Sequence, residues 1–341
     1  MSAQAMRIVI TGGAGFLGAA LARRILNAGA LAVDGADAAP VTELLLLDIA
    51  PPPADLAAHP LVSVRTGDLP HLLPTVGDVD AIFHLAGVVS SAAEADFDLG
   101  MRVNVDALRA VLEWARAMDT PPVLVFSSSL AVFGADPAIG PVGVIHDDTL
   151  PRPQSSYGVQ KFIGEQLVAD ATRRGFVRGR TVRLMTVSVR PGAPNAAASS
   201  FLSGMIREPI AGIRAVCPVD ADTPVALSSP SRTLDGILRA AEVDATTWGS
   251  TTALTLPALS TTPREMAAAL DRRAGVGTSD LIDWIPDAGI EAIVGSWPST
   301  FVTERASRLG LTAEASFDAI VDVYLAEVRN QPQPPTKDAR S

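Results

Sequence analysis

The sequence that most constrains this fold is TGGAGFLG, residues 11–18. It sets Gly12, Gly15 and Gly18 at three-residue spacing between an apolar run, RIVIT (7–11), and a helical stretch over 16–28. Glycines spaced this way mean little by themselves, and an ordinary tight turn is the alternative. Between a strand and a helix they specify a βαβ unit whose turn lets the backbone approach a pyrophosphate. Free N–H groups at the helix start, at Phe16 and Leu17, can then meet the negative charge.

The rest of the first half repeats that beat. Apolar runs at ELLLLD (43–48), VSVRTGD (62–68), AIFHLAG (81–87), VLVFSSS (123–129) and TVRLMTVSV (181–189) alternate with helical stretches at 98–118 and 156–174. Several are continuously apolar, as strands buried on both faces of a parallel sheet are. The expected fold class is therefore α/β, a Rossmann doubly wound parallel sheet over residues 1–190. After Arg190 the chain turns Pro/Gly/Ser-rich, and a helix at 231–243, a strand near 252–256 and helices at 263–274 and within 313–329 follow. Residues 191–330 read as a smaller C-terminal substrate-binding subdomain that returns some elements to the first. The polar tail 331–341, QPQPPTKDARS, reads as disordered.

Composition excludes several roles. Acidic side chains outnumber basic ones by 37 to 27, and no Lys/Arg run is present to neutralise a phosphate backbone, so no nucleic-acid partner is expected. The run ELLLLDIA is far shorter than the roughly 20 residues that cross a bilayer. The first residues lack the pattern of a signal peptide. One cysteine, Cys217, cannot form an internal disulfide, so a cytoplasmic protein is expected. His59, His71, His84 and His146 lack ligand spacing, and no metal site is expected.

The strand ends carry the candidate cofactor residues. Asp48 ends the second strand, where a carboxylate can accept hydrogen bonds from ribose hydroxyls. Its distance from the glycines exceeds the usual spacing of about 20 residues, and DGADAAPV (34–41) reads as an inserted surface loop. IAPPPAD follows Asp48 without an arginine for a 2′-phosphate, which points to NAD over NADP. Asp68 and Leu69, after the third strand, can flank an adenine. Leu85, Ala86 and Gly87, after the fourth, are small enough for a dinucleotide to lie against the strand ends. His84 reads as a core residue rather than a base.

Tyr157 and Lys161 are four apart in SSYGVQKFIGEQ, hence on one helix face. A free tyrosine titrates near 10, and a neighbouring ammonium favours its phenolate; a shift of about 3 units requires roughly 4 kcal/mol. Ser129, closing the fifth strand, can hydrogen-bond a substrate hydroxyl. The three together are a candidate site for oxidising a hydroxyl.

TGGAGFLG, LLLLD, TGDL, FHLAG, the NVDAL segment, FSSSLAVFG and YGVQK together resemble the extended short-chain dehydrogenases, the NAD-dependent epimerase/dehydratase family, over about half the chain. The resemblance implies NAD as cofactor, Asn104 beside it, and Ser129, Tyr157 and Lys161 as the catalytic set. Ser129 is assigned by counting back from Phe133, which replaces the family's usual tyrosine. RPGAPNAAASSFLSGMIREPIAG, SPSRTLDGILRAAE and WPSTFVTERASRLG resemble a branch that oxidises the 2-hydroxyl of a four-carbon sugar acid. A carboxylate then needs a partner, with Arg190 and Arg232 as candidates and Asn195, Ser199 and Ser200 for the hydroxyls. A nucleotide-sugar epimerase with retained NAD and a non-catalytic NAD-sensing protein are the alternatives. Leu108, Leu112, Phe162 and Ile163 either pack on the sheet or pair across a homodimer, as such helices often do in this family.

Overall fold

The structure is a computed structural model that describes residues 5–192 and 197–330. Its centre is an eight-stranded sheet built from β1 (Met6–Thr11), β2 (Ala30–Leu31), β3 (Ala39–Asp48), β4 (Val62–Thr66), β5 (Ala81–His84), β6 (Val123–Ser129), β7 (Arg178–Leu184) and, returning later in sequence, β11 (Leu254–Thr255). The order runs β11, β7, β6, β5, β1, β3, with β4 parallel beside β3 and β2 antiparallel to its start. Strand order therefore reverses at β1, and ligands of such sheets bind outside the carboxyl ends at that point.

The leucine run of β3 shows why these strands read as continuous apolar stretches. Leu44 and Leu46 face one core cluster, and Leu45 and Leu47 face the other. Helices Phe16–Ala28 and Pro230–Glu242 cover the first face. Helices Ala107–Arg116 and Ser156–Arg173 cover the second. Leu108 and Leu112 are buried in that second face, and half-buried Phe162 packs against Val132, Phe133 and Ile145. Leu108 and Leu112 thus pack on the sheet, while Phe162 and Ile163 keep part of their surface exposed.

DGADAAPV is not a loose loop. It is the tip of the β2–β3 hairpin, where Asp34 takes a positive φ of 54°. The Asp34 carboxylate accepts from Arg178 (3.0 Å) and Arg180 (2.7 Å), and its N–H donates to the Ala241 carbonyl. The expected strand over 181–189 divides: after β7 the chain leaves the main sheet, and β8 (Thr186–Val187) joins a second sheet with β10 (Val225–Ser228) and β12 (Leu259–Thr261). β9 (Ala215–Cys217) pairs with β13 (Ile282–Trp284). Helices Phe201–Ile210, Pro263–Ala274 and Phe317–Asn330 pack around these strands in a separate cluster that includes Cys217. No helix among the described residues is long and apolar enough to cross a membrane. The tail 331–341 lies outside the described residues.

Candidate active site

A cleft of about 360 Å³ opens at the carboxyl ends of β1, β5, β6 and β7, where the chain crosses from the main sheet to the second. Gly12, Gly15, Phe16, Leu17 and Gly18 form one end. Gly12 has φ 74°, and a Cβ there would sit 2.7 Å from the Ala86 nitrogen; one on Gly18 would sit 2.1 Å from the Gly12 carbonyl oxygen. The helix that follows has no side-chain cap and no carboxylate in its first turn. Its orphan N–H groups and positive dipole end suit an anion, so this cradle fits a dinucleotide pyrophosphate.

Asp48 stands beside the cradle. One carboxylate oxygen accepts the Ala14 N–H at 2.9 Å and the other the Ala50 N–H at 3.2 Å. Leu85 and Gly87 line the cleft, and the Ala86 N–H donates to Thr11 Oγ1 at 3.3 Å. Asp68 is exposed, with His71 at 3.4 Å, whereas the Leu69 side chain is buried in the sheet's second core and leaves only its main chain for a ligand. Asn104 sits one step behind the cleft. It accepts from the Val88 N–H at 3.0 Å and donates to Gln160 Oε1 at 2.8 Å, which pins the loop after β5.

The candidate catalytic groups come from one strand end and one helix. Ser155 caps helix Ser156–Arg173 by accepting from the Gly158 N–H. Three turns of that helix then meet the three serines of β6. Ser129 hydrogen-bonds the Tyr157 phenol, Lys161 Nζ donates to the Ser127 carbonyl at 2.9 Å, and Ser128 Oγ donates to Glu165 Oε1 at 2.6 Å. Glu165 also takes two bonds from Arg183 of β7, at 2.9 and 2.7 Å. Side-chain exposures of 2% for Glu165 and 6% for Arg183 make this a buried ion pair. Sequence reasoning passed over Glu165 and Arg183. The signal available was the spacing, because Glu165 continues the four-residue step from Tyr157 and Lys161.

The electrostatics differ from the sequence expectation. Burial pushes the Tyr157 phenol up to about 12, opposed by the Ser129 bond, and Lys161 is not among the causes. Burial pushes the Lys161 ammonium down to about 8. Its Nζ lies 5.7 Å from the Tyr157 ring centroid, turned to the Ser127 carbonyl. His84 is buried and held neutral, pushed down to about 3 by burial first and the Lys161 charge second. Its Nδ1 lies 2.7 Å from Thr11 Oγ1, as a core residue would be placed.

Arg190, Ser199, Met185, Thr186 and Trp297 line the other end of the cleft. The Arg190 N–H donates to Ser203 Oγ and its carbonyl accepts from Arg207, which fixes its backbone. Among the described residues no carboxylate lies within ion-pair distance of its guanidinium. Arg232 is elsewhere: it lines a separate cavity with Arg24 and Arg239, 3.6 Å from Asp235. Its expected place beside a substrate carboxylate is thereby corrected. Ser200 starts helix Phe201–Ile210 without lining the cleft. Asn195 lies outside the described residues.

Residues 8–216 match the NAD dependent epimerase/dehydratase family. The chain belongs to that family. Among its relatives, a D-erythronate dehydrogenase from Cupriavidus necator is 49% identical over 94% of this chain and 98% of that protein. One from Haemophilus influenzae is 37% identical over 94% and 99%. The solved nucleoside-diphosphate-sugar epimerase from Agrobacterium tumefaciens superposes with a TM-score of 0.85 at 37% identity, covering 95% of this chain and 94% of that one. An L-threonine dehydrogenase from Clostridium difficile, at 21% identity and TM-score 0.80, covering 95% and 97%, shares the fold. Within the epimerase/dehydratase family, near full-length similarity to dehydrogenases makes this chain a dehydrogenase that uses a nicotinamide cofactor.

Proposed function

We propose that the protein oxidises the C2 hydroxyl of a small sugar acid, D-erythronate, to the 2-oxo acid with NAD. The carrying observation is Arg190, a cation without a carboxylate partner among the described residues, in one cleft with Ser129, Tyr157, Lys161 and the glycine cradle. Its planar guanidinium matches a carboxylate with two parallel bonds. Ser199 is at hand for a substrate hydroxyl. Ser129 orients the C2 hydroxyl and Tyr157 accepts its proton, while the C2 hydrogen leaves with its electron pair and the carbonyl forms. When bound, NAD supplies the acceptor for that pair. Gly12, Gly15 and Gly18 would admit its pyrophosphate, Asp48 would take the ribose hydroxyls, Lys161 would hold the second ribose, and Asp68 would lie toward the adenine. No arginine follows Asp48 to pair with a 2′-phosphate, so NAD is used in preference to NADP.

A second reading, a nucleotide-sugar epimerase that keeps its NAD, has support in the 37% identity to the Agrobacterium protein. Net NADH formation separates the two. Purified protein with D-erythronate is expected to release NADH over many turnovers, and to reduce NADP to NADPH more slowly. Arg190→Met is expected to raise KM for the acid at least about tenfold, about 1.4 kcal/mol, with NAD affinity unchanged. Turnover of a nucleotide sugar without net NADH would overturn the proposal.

A further inference from the structure

We infer that Trp297 sets the length of the acid by closing the substrate end of the cleft; this rests on the reading just given. Trp297 and Thr186, with Leu130, line both the cleft and a second, small cavity of about 10 Å³ behind it. Val225, Ala226, Val294 and Pro298 form the far side of that void, which is near the size of a single water. The indole therefore stands as a partition between two spaces. It is half-buried and packs against Leu130, Met185 and Ala226, immediately beside the end of the strand that carries Ser129.

The partition is fixed from both sides. The main-chain N–H of Trp297 donates to the Val294 carbonyl at 3.2 Å, closing the turn after helix Ala288–Gly295. The Ser296 carbonyl accepts from the Ala135 N–H at 2.9 Å, which ties this turn to the segment following β6. Pro298 follows and restricts the backbone further. The ring itself is held by its packing against Leu130, Met185 and Ala226, and with only two side-chain torsions it costs little entropy to order there. The room between the glycine cradle and this wall must take both the nicotinamide end of a dinucleotide and the substrate. Each added CHOH unit needs about the volume of a water molecule, roughly 30 Å³, and Trp297 lines the end of the cleft that also holds Arg190. A long chain or a nucleotide-bearing sugar meets the same wall.

The test compares kcat/KM for D-erythronate with that for the six-carbon acid D-gluconate in the wild type, Trp297→Ala and Trp297→Leu. The leucine variant keeps an apolar plug over Leu130 and Met185 if the alanine variant folds poorly. One methylene of misfit typically costs about 10–200-fold in discrimination, so the wild type is expected to favour the four-carbon acid by at least that range. Shortening Trp297 is expected to reduce the ratio about tenfold or more, mainly through a lower KM for D-gluconate, with KM for NAD unmoved. A wild type that oxidises both acids equally, or a folded variant whose ratio stays as in the wild type, overturns the role of Trp297 while leaving D-erythronate oxidation standing. A wild type that oxidises no sugar acid overturns the proposed function and this inference with it.

Discussion

At Tyr157 the phenol sits in a buried cleft where its acidity is suppressed to about 12, so the protein must supply positive charge before this residue can accept a proton near neutrality. Lys161 is the nearby cation, although burial has already brought its own ammonium to about 8. Oxidation should therefore rise with pH as the phenol loses its proton. In Lys161→Met the rising limb should move to higher pH by about one unit or more, each unit being about 1.4 kcal/mol. Tyr157→Phe keeps the ring and removes the acceptor, so turnover should fall about 10²–10⁴-fold, with NAD binding measured by titration nearly unchanged. A variant within a few-fold of wild type would rule the tyrosine out as base. That these side chains share one cleft was legible from local spacing, with Tyr157 and Lys161 four apart and Ser129 at a strand end. Arg232 lies outside the cleft because its helix packs on the main sheet's first face, a long-range placement that no local spacing encodes.

Helix Ser156–Arg173 does more than carry two catalytic candidates. Ser129, Ser127 and Ser128 engage Tyr157, Lys161 and Glu165 in turn, so the helix is held to β6 at three levels. The deepest level is an ion pair, and removing one partner of such a pair leaves an uncompensated buried charge. Glu165→Gln should destabilise the fold by about 3–5 kcal/mol, read as a lower urea midpoint with an unchanged m-value. A loss under about 1 kcal/mol would mean that water reaches Arg183 in the variant. The long parallel strands were legible because both faces are buried and the sequence is apolar throughout. The short strands β8 to β13 were mostly not, since two to four residues carry no period and their partners lie far along the chain. Helix Phe201–Ile210 was hidden by its own Gly204 and by Pro209 in its last turn, both poor helix formers that packing overrides.

For the whole molecule, the connection between the halves matters most. β11 extends the main sheet beside β7, and Leu234, Ile237 and Ala241 of helix Pro230–Glu242 complete the core beneath β1, β3 and β6. A fragment ending at residue 190 would lack both. It should therefore bind a hydrophobic dye and unfold without a cooperative transition, whereas a compact, cooperatively melting fragment would show that the first 190 residues stand alone. The glycine turn and strand rhythm made the sheet readable, but the return of distant segments to it is set by three-dimensional packing. The same arrangement has a consequence during synthesis. Roughly 70 residues separate the end of β7 from the end of β11, so at about 5–20 residues per second the ribosome leaves one face of the nascent sheet uncovered for several seconds, a window in which a chaperone can bind it.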